Sequence, residues 1–261
     1  MRYAIGIEYD GSGFCGWQAQ RDDPSVQESV EQAVSRVADT AVRLVCAGRT
    51  DTGVHALAQV AHFDSPAQRE NRQWVLGVNR HLPASVCLLW ARPVADDFHA
   101  RFSAVERSYR YVILNRAVRP ALRAGQVAWC HQALDTEAMD RAAQPLRGEH
   151  DFSAFRSAGC QATHAVREIT RIGVSRDGEN VFLDVSANGF LYHMVRNIAG
   201  SLLDVGRGER SVDWIAELLA GRDRTRAGAT ADAAGLYFAG VRYPERFGLP
   251  GPPCVPGGVQ S

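Results

Sequence analysis

The sequence contains no lysine, and all 29 of its basic residues are arginine. This absence excludes Schiff-base chemistry, covalently bound pyridoxal phosphate and any phosphate-binding loop that depends on a lysine. The six cysteines lie far apart without a C-x-x-C pair, and no two histidines are spaced i, i+4. The sequence therefore predicts no zinc or iron–sulfur site, and we interpret the thiols as small buried apolar groups of a cytoplasmic protein.

Long hydrophobic runs are also missing. No apolar stretch approaches the ~20 residues that a membrane-spanning helix needs. Glu8 interrupts the N-terminal segment where a signal peptide would be apolar. Since 46% hydrophobic and 22% charged residues are ordinary for a globular chain, we expect a folded cytoplasmic protein that does not associate with membranes.

The net charge is zero, so the sequence as a whole lacks the basic character of many nucleic-acid-binding proteins. Arginine is nevertheless concentrated locally. Six arginines and a single acidic residue, Glu106, lie between Arg101 and Arg123, interleaved with aromatic residues such as Phe102 and Tyr109. This pattern suits a ligand made of phosphates and bases, and a strand with a solvated basic face fits it equally well. If the ligand is a nucleic acid, we expect phosphate contacts from these arginines and from the group Arg222, Arg224 and Arg226.

The order of predicted strands and helices repeats once along the chain. The first half has strands at 3–9, 42–46, 58–63 and 86–94, with helices after a capping box at Ser25 and at 69–81. The second half has strands at 108–114, 169–174, 181–186 and 236–241, with helices at 136–146, 194–205 and 212–220. We predict an α+β fold of two tandem ferredoxin-like (β-α-β-β-α-β) halves, 1–103 and 104–248, joining in a central antiparallel sheet. A Pro/Gly-rich tail at 249–261 is expected to be loose.

Two motifs suggest functions that the surrounding residues argue against. GSGFCG at 11–16 matches the dinucleotide-binding pattern G-x-G-x-x-G, but residues 17–24 intervene before any helix that could bind a pyrophosphate. We interpret this segment as a strand-end loop, either structural or facing the substrate. The D-T-G of aspartic proteases occurs once, at 51–53, whereas those enzymes need two carboxylates that share a proton. Arg49 also favours an ionised Asp51.

The stretch GRTDTGVHA at 48–56 is the densest functional signal, although Asp51 in a simple Asx-turn is the structural alternative. This stretch resembles the catalytic motif of the tRNA pseudouridine synthase A family. Three more blocks resemble that family in the same order: YDGSGFCGWQ at 9–18, FHARFS at 98–103 leading to YRY at 109–111, and NGFLYHMVRNI at 188–198. The resemblance extends over nearly the whole chain up to 249.

The resemblance implies an isomerase that converts uridine to pseudouridine at positions 38, 39 and 40 of the tRNA anticodon stem-loop. It also implies two ferredoxin-like halves, no cofactor, no metal and a homodimer. Two alternatives stay open: the same chemistry at another tRNA uridine, and a non-catalytic RNA-binding protein on the same scaffold.

The resemblance further assigns the site residues. Asp51 would act at C1′ of a flipped uridine, as a nucleophile or by removing the 2′ proton. Arg196 would be the buried ion-pair partner of Asp51. Tyr109 would stack on the uracil, and Arg49 would contact the RNA backbone or help to extrude the base. Without the resemblance, the simpler interpretation would be that Tyr109 packs in or beside the core and that Arg49 and Arg196 are solvated.

His55 and His193 are further candidates for acid–base groups, because each lies inside one of the matching blocks. The resemblance does not require either of them in the reaction. We expect each to be a packing histidine or an RNA contact.

Overall fold

The computed structural model describes residues 1–21 and 23–251, which divide into two compact units. Within the described residues, the first unit comprises residues 1–105 and 237–251, and the second comprises residues 106–236. Both units contain helices and mostly antiparallel strands, which confirms the predicted α+β class. Most of the tail expected to be loose, from 252 to 261, lies outside the described residues.

The first unit has the expected β-α-β-β-α-β order. Its elements are β1 (Arg2–Tyr9), α1 (Val26–Ala38), β2 (Val45–Cys46), β3 (His55–Asp64), α2 (Asn71–Asn79) and β4 (Val86–Val94). β1 pairs antiparallel with β3 and β4, and β2 pairs antiparallel with β3, which gives the order β4-β1-β3-β2. α1 begins at the predicted cap, because the Ser25 hydroxyl accepts the backbone N–H of Glu28 at 3.3 Å.

β2 is shorter than the strand predicted at 42–46. The backbone N–H of Val42 donates to Ser35 Oγ at 2.9 Å, and that of Leu44 donates to Glu31 Oε1 at 2.8 Å. Both acceptors belong to α1, so side chains rather than a neighbouring strand satisfy this backbone.

The second unit has more strands than the sequence predicted. Its elements are β5 (Glu106–Asn115), β6 (Ala128–Cys130), α3 (Thr136–Ala143), β7 (Gly148–Asp151), β8 (Val166–Asp177), β9 (Asn180–Ala187), α4 (Met194–Gly206) and α5 (Trp214–Gly221). The antiparallel order is β5-β9-β8-β7, and the short β6 runs parallel to β5. β6 and β7 escape a pattern-based prediction because they have three and four residues, and β7 has no apolar side chain. α3 ends before the predicted 146, and residues 144–146 form a 3₁₀ turn around Pro145, which has no N–H to continue an α-helix.

The last strand, β10 (Leu236–Arg242), lies in the first unit from Tyr237 onward. Tyr237 and Phe238 pair in parallel with His55 and Ala56 at the start of β3. This strand was predicted in the half 104–248, whereas the observed first unit includes it from Tyr237 and has its N-terminal part end at 105. No helix within the described part of the chain is long and apolar enough to cross a membrane.

Candidate active site

Asp51 lies in the first unit, on the loop that joins β2 to β3. Two contacts with β3 fix the beginning of this loop. The backbone N–H of Ala47 donates to the Val60 carbonyl at 2.7 Å, and the Gln59 side-chain amide donates to the Gly48 carbonyl at 2.7 Å. A turn follows, in which the N–H of Val54 donates to the Asp51 carbonyl at 3.1 Å. The backbone on both sides of Asp51 is therefore held by β3 and by its own turn.

The glycine-rich segment 11–16 packs its backbone against this loop. The Trp17 N–H donates to the Thr50 carbonyl at 3.0 Å, and the Gly53 N–H donates to the Phe14 carbonyl at 3.3 Å. Gly16 has a φ of +95°, and a Cβ there would lie 2.7 Å from the Thr50 carbonyl oxygen. A Cβ at Gly11 would lie 2.0 Å from the Val54 carbonyl oxygen. The motif that resembles a dinucleotide fingerprint thus serves close backbone packing.

A pair of buried hydroxyl groups supports the same loop. Tyr9 Oη and Thr50 Oγ1 lie 2.7 Å apart, and both residues are buried. Burial raises the pKa of Tyr9 above its usual value, so the phenol stays protonated. The pair connects the end of β1 to the residue directly before Asp51.

His55 is buried at the start of β3. Its Nδ1 accepts the backbone N–H of Gly11 at 3.0 Å, and its ring stacks on Tyr237 with the ring centroids 4.7 Å apart. Asp10 Oδ1 lies 3.2 Å from the same nitrogen. Nδ1 of His55 therefore lies between a backbone donor and a carboxylate. The structure thus places His55 in packing, one of the two roles expected for it.

The polar groups of the loop differ in exposure: Asp51 is half-buried, whereas Arg49 and Thr52 are exposed. Burial raises the pKa of the Cys46 thiol to about 12, and the positive charges of Arg49 and Arg101 oppose this rise. The exposed guanidinium group of Arg49 could bind an anionic ligand. The half-buried carboxylate of Asp51, two residues further on, could then react with that ligand.

Tyr109 lies in the second unit, on β5 opposite Val185 of β9. Its half-buried ring meets Phe190 edge to face, with the centroids 5.0 Å apart and the planes at 85°. The next residue, Arg110, is on the other face of the strand and is buried. It binds Asp184 with two contacts of 2.7 and 2.9 Å, so this arginine of the 101–123 cluster is internal.

Arg196 lies in the first turn of α4, also in the second unit. Its Nε donates to the Ala231 carbonyl at 2.8 Å, and one Nη lies 3.3 Å from His193 Nε2. The helix dipole disfavours a cation at a helix N-terminus. A nearby anion would therefore stabilise the guanidinium group of Arg196 in this position. His193 itself has a φ of +59°, and its ring stacks on Tyr192 at 3.9 Å.

A buried polar network behind Arg196 was not foreseen from the sequence. Asn197 is fully buried, and its amide donates to the Phe155 carbonyl at 2.8 Å and to Ser157 Oγ at 3.1 Å. Its carbonyl oxygen accepts from Arg224 at 2.9 Å and from Thr230 at 2.7 Å. The interpretation of Arg224 as a phosphate contact thus has to be corrected, because its guanidinium group binds protein acceptors. The only signal in the sequence was an asparagine on a mostly apolar helix.

The sequence-predicted site residues are divided between the two units. Asp51 and Arg49 share one loop of the first unit. Tyr109 and Arg196 belong to the second, where Phe190 and His193 are their respective neighbours. Among the described residues, no group of three His, Cys, Asp or Glu side chains could hold a metal ion.

Comparison with known proteins identifies the family. The family model described as tRNA pseudouridine synthase matches residues 5–103 and 142–244. The chain is 59% identical over 251 residues to tRNA pseudouridine synthase A of Xylella fastidiosa (strain M23), covering 96% of this chain and 98% of that protein. It is 58% identical over 251 residues to the protein of the same name from Stenotrophomonas maltophilia (strain K279a), with 96% and 98% covered. The corresponding values for Thiobacillus denitrificans (strain ATCC 25259 / T1) are 56% over 250 residues, with 96% of each chain covered.

Among solved structures, a chain in the crystal structure of a Cbf5-Nop10-Gar1 complex aligns with 90% of this chain and 48% of its own length. Its sequence identity is 12% and its TM-score is 0.37, a distant likeness. The family match and the high identity over nearly the full length confirm the resemblance seen in the four sequence blocks. The chain therefore belongs to the tRNA pseudouridine synthase family and is an isomerase that forms pseudouridine in tRNA.

Proposed function

We propose that this enzyme isomerises uridine at positions 38, 39 and 40 of the tRNA anticodon stem-loop, with Asp51 acting at the ribose of a flipped uridine. The observation that carries this proposal is the loop at 47–54. Contacts from Gln59, Tyr9 and the segment 11–16 hold this loop in place, and it presents one half-buried carboxylate beside the exposed Arg49. A rigid support of this kind is what a group acting on one atom of a substrate requires.

The reaction breaks the bond between N1 of uracil and C1′ of ribose, turns the retained base, and joins C5 to C1′. In one route the Asp51 carboxylate attacks C1′ and is later displaced by C5. In the other it removes the 2′ proton and returns it after the new bond has formed. In either route the proton on C5 is released to solvent and N1 of the uracil takes up a proton. Both routes need an ionised carboxylate and a base held out of its stack.

The other residues of the proposed site each have one task. Arg196 is proposed to pair with the Asp51 carboxylate and keep it ionised, which is supported by its place in the first turn of α4. Tyr109 stacks on the flipped uracil, and its edge-to-face contact with Phe190 limits the movement of its ring. Arg49 binds the RNA backbone next to the flipped nucleotide.

The experiment that tests the proposal uses tRNA labelled with tritium at C5 of uridine. Asp51→Asn and Asp51→Ala should abolish tritium release and leave tRNA affinity within a few-fold of that of the parent, because the loop backbone is held by other groups. Thr52→Ala, which changes an exposed neighbour on the same loop, is the control and should keep turnover. Turnover by Asp51→Ala would refute the catalytic assignment.

Pseudouridine mapping at single-nucleotide resolution tests the substrate position. Modification at 38, 39 and 40 is expected, and modification elsewhere would support the same chemistry at another tRNA uridine. Binding without modification at any site would instead support the RNA-binding alternative. We also propose that the enzyme acts as a homodimer in the cytoplasm, as the family resemblance implies, and sedimentation tests the dimer.

A further inference from the structure

Phe102 is a large apolar side chain that the first unit leaves 75% exposed. It belongs to the connection 98–103 between β4 and β5, within one of the four family blocks, and the proposed chemistry assigns it no task. Neighbouring apolar residues of the same connection, Phe98 and Ala100, are fully buried. The exposure of Phe102 is therefore specific to its position within this segment.

The segment that holds Phe102 is a closed turn. The Ser103 N–H donates to the His99 carbonyl at 2.8 Å, and the His99 N–H donates to Ser103 Oγ at 3.0 Å. His99 Nδ1 lies 3.2 Å from the backbone nitrogens of both Arg101 and Phe102, and it accepts from them. The Ala100 N–H donates to His62 Nδ1 at 3.1 Å. Phe102 is thus presented by an ordered backbone, which lowers the entropic cost of using it in binding.

Three rings form a layered arrangement that ends at Phe102. The His62 and His99 ring centroids lie 4.9 Å apart, and those of His99 and Phe102 lie 4.4 Å apart with the planes at 31°. Burial, with the charge of Arg2 as the next cause, lowers the pKa of both histidines, to about 4 for His62. Both rings are neutral near pH 7. One side of Phe102 is therefore supported by an uncharged ring, while most of its surface faces solvent.

The surroundings of Phe102 are cationic and close to the Asp51 loop. The Arg101 guanidinium carbon lies 5.5 Å from the Phe102 ring centroid. Arg101 and Arg49 act on the same Cys46 thiol at the end of β2, and Arg49 follows that strand by three residues. β2 pairs with β3 through Val45 and His62, and His62 is the inner ring of the layered arrangement. The turn at 99–103 and the loop at 47–54 thus lie along one edge of the first unit.

From this geometry we infer that Phe102 stacks on an unpaired base of the bound tRNA, a base other than the target uridine, while Arg101 binds an adjacent phosphate. An exposed aromatic ring on a rigid turn, with a guanidinium group beside it, fits a nucleobase and its phosphate. The inference rests on the proposed tRNA substrate and extends the binding surface from Arg49 to the turn at 99–103.

The test compares the tRNA affinities of Phe102→Ala, Phe102→Trp and Arg101→Ala at several salt concentrations. Since stacking on an aromatic ring contributes roughly 1–3 kcal/mol per base, Phe102→Ala should weaken binding about 5- to 150-fold. Its salt dependence should match that of the parent, and Phe102→Trp should retain affinity. Arg101→Ala should shallow the log–log salt slope by roughly 0.7–0.9. Leu76→Ala, which removes a 59% exposed apolar side chain from α2 of the same unit, is the matched control and should bind normally.

Each other result has a defined meaning. Parent-like affinity of Phe102→Ala, or failure of Phe102→Trp to retain affinity, would overturn the stacking role. A loss of affinity accompanied by a change in sedimentation would assign Phe102 to a contact between copies of the chain and would also overturn it. Affinity is read independently of turnover, so a parent protein that binds tRNA without modifying it would reject the proposed chemistry and leave the Phe102 comparison valid. A parent that binds no tRNA would refute both.

Discussion

At the scale of single residues, the hydroxyl pair of Tyr9 and Thr50 connects β1 to the Asp51 loop. Tyr9→Phe removes the phenolic oxygen and leaves a buried Thr50 hydroxyl without this partner. We expect a loss of about 1–3 kcal/mol in the free energy of unfolding and a several-fold lower kcat with unchanged tRNA affinity. Urea unfolding and turnover at saturating tRNA measure the two effects. Tyr3→Phe is the control: Tyr3 is also buried in β1, but its hydroxyl donates to the Ala67 carbonyl instead. A kcat equal to that of the parent in Tyr9→Phe would contradict the supporting role.

A second prediction at this scale concerns His62, whose pKa is lowered from 6.5 to about 4 by burial and then by the charge of Arg2. The unfolded chain therefore binds more protons than the folded one between about pH 4 and pH 6.5. This contribution to stability is complete above pH 6.5 and is lost as the pH falls toward 4. Asp64, paired with Arg2, has a pKa lowered below 3.8, so its loss of stability occurs at more acidic pH.

His62→Asn keeps an acceptor for the Ala100 N–H and removes the titration. The difference between the free energies of unfolding at pH 7 and pH 5 should therefore be smaller in His62→Asn than in the parent. Urea unfolding at the two pH values measures it. His81→Asn, at an exposed position, should leave that difference unchanged. An unaltered pH dependence in His62→Asn would show that other groups cause the loss of stability.

At the scale of elements, the segment 11–16 tests whether close backbone packing holds the Asp51 loop in place. Gly16→Ala introduces a Cβ 2.7 Å from the Thr50 carbonyl oxygen at a φ of +95°. We expect a loss of about 2 kcal/mol in stability and at least a tenfold fall in kcat, because the loop must move. Gly13→Ala is the matched control in the same segment, since its Cβ would meet no atom within 4 Å. Equal turnover in the two variants would show that catalysis does not depend on this packing.

The elements also show where the sequence was sufficient. Apolar spacing and the cap at Ser25 predicted α1 to within a residue, and β4 was predicted at its observed bounds, Val86–Val94. The length of β2 was overestimated. The backbone of Val42 and Leu44, which was predicted to belong to the strand, bonds to side chains of α1, a tertiary effect that no local pattern contains. The pairing of β10 with β3 could not be predicted either, because the residue pattern of a strand does not indicate which strand it pairs with.

The candidate site divides in a similar way. Asp51, Arg49, Tyr109 and Arg196 could be singled out because each lies in a block that resembles the family, and their proposed roles stay predictions. The residues that support the site could not be found from these blocks. Asn197 and Arg224 are 27 residues apart and read as a polar residue and a surface arginine, yet they share a buried hydrogen bond. Only the folded chain brings such partners together.

At the scale of the whole molecule, a net charge of zero means that phosphate binding must come from selected arginines. Arg49 is exposed, and its change to alanine should make the log–log salt slope of tRNA binding shallower by roughly 0.7–0.9. Arg224→Ala should leave the slope unchanged and lower the free energy of unfolding, because this arginine serves the Asn197 network. Salt titrations of tRNA affinity and urea unfolding measure these outcomes. A shallower slope for Arg224→Ala would return that residue to the RNA surface.

The position of β10 has a consequence for biosynthesis. His55 and Ala56 at the start of β3 gain their parallel partners only when Tyr237 and Phe238 have been made. A nascent chain that has left the ribosome up to residue 236 therefore carries an incomplete first unit whose β3 has an uncovered edge, the kind of edge that promotes mispairing. Completion of this unit must wait until the whole second unit has been synthesised, although the other strands of the first unit are made earlier.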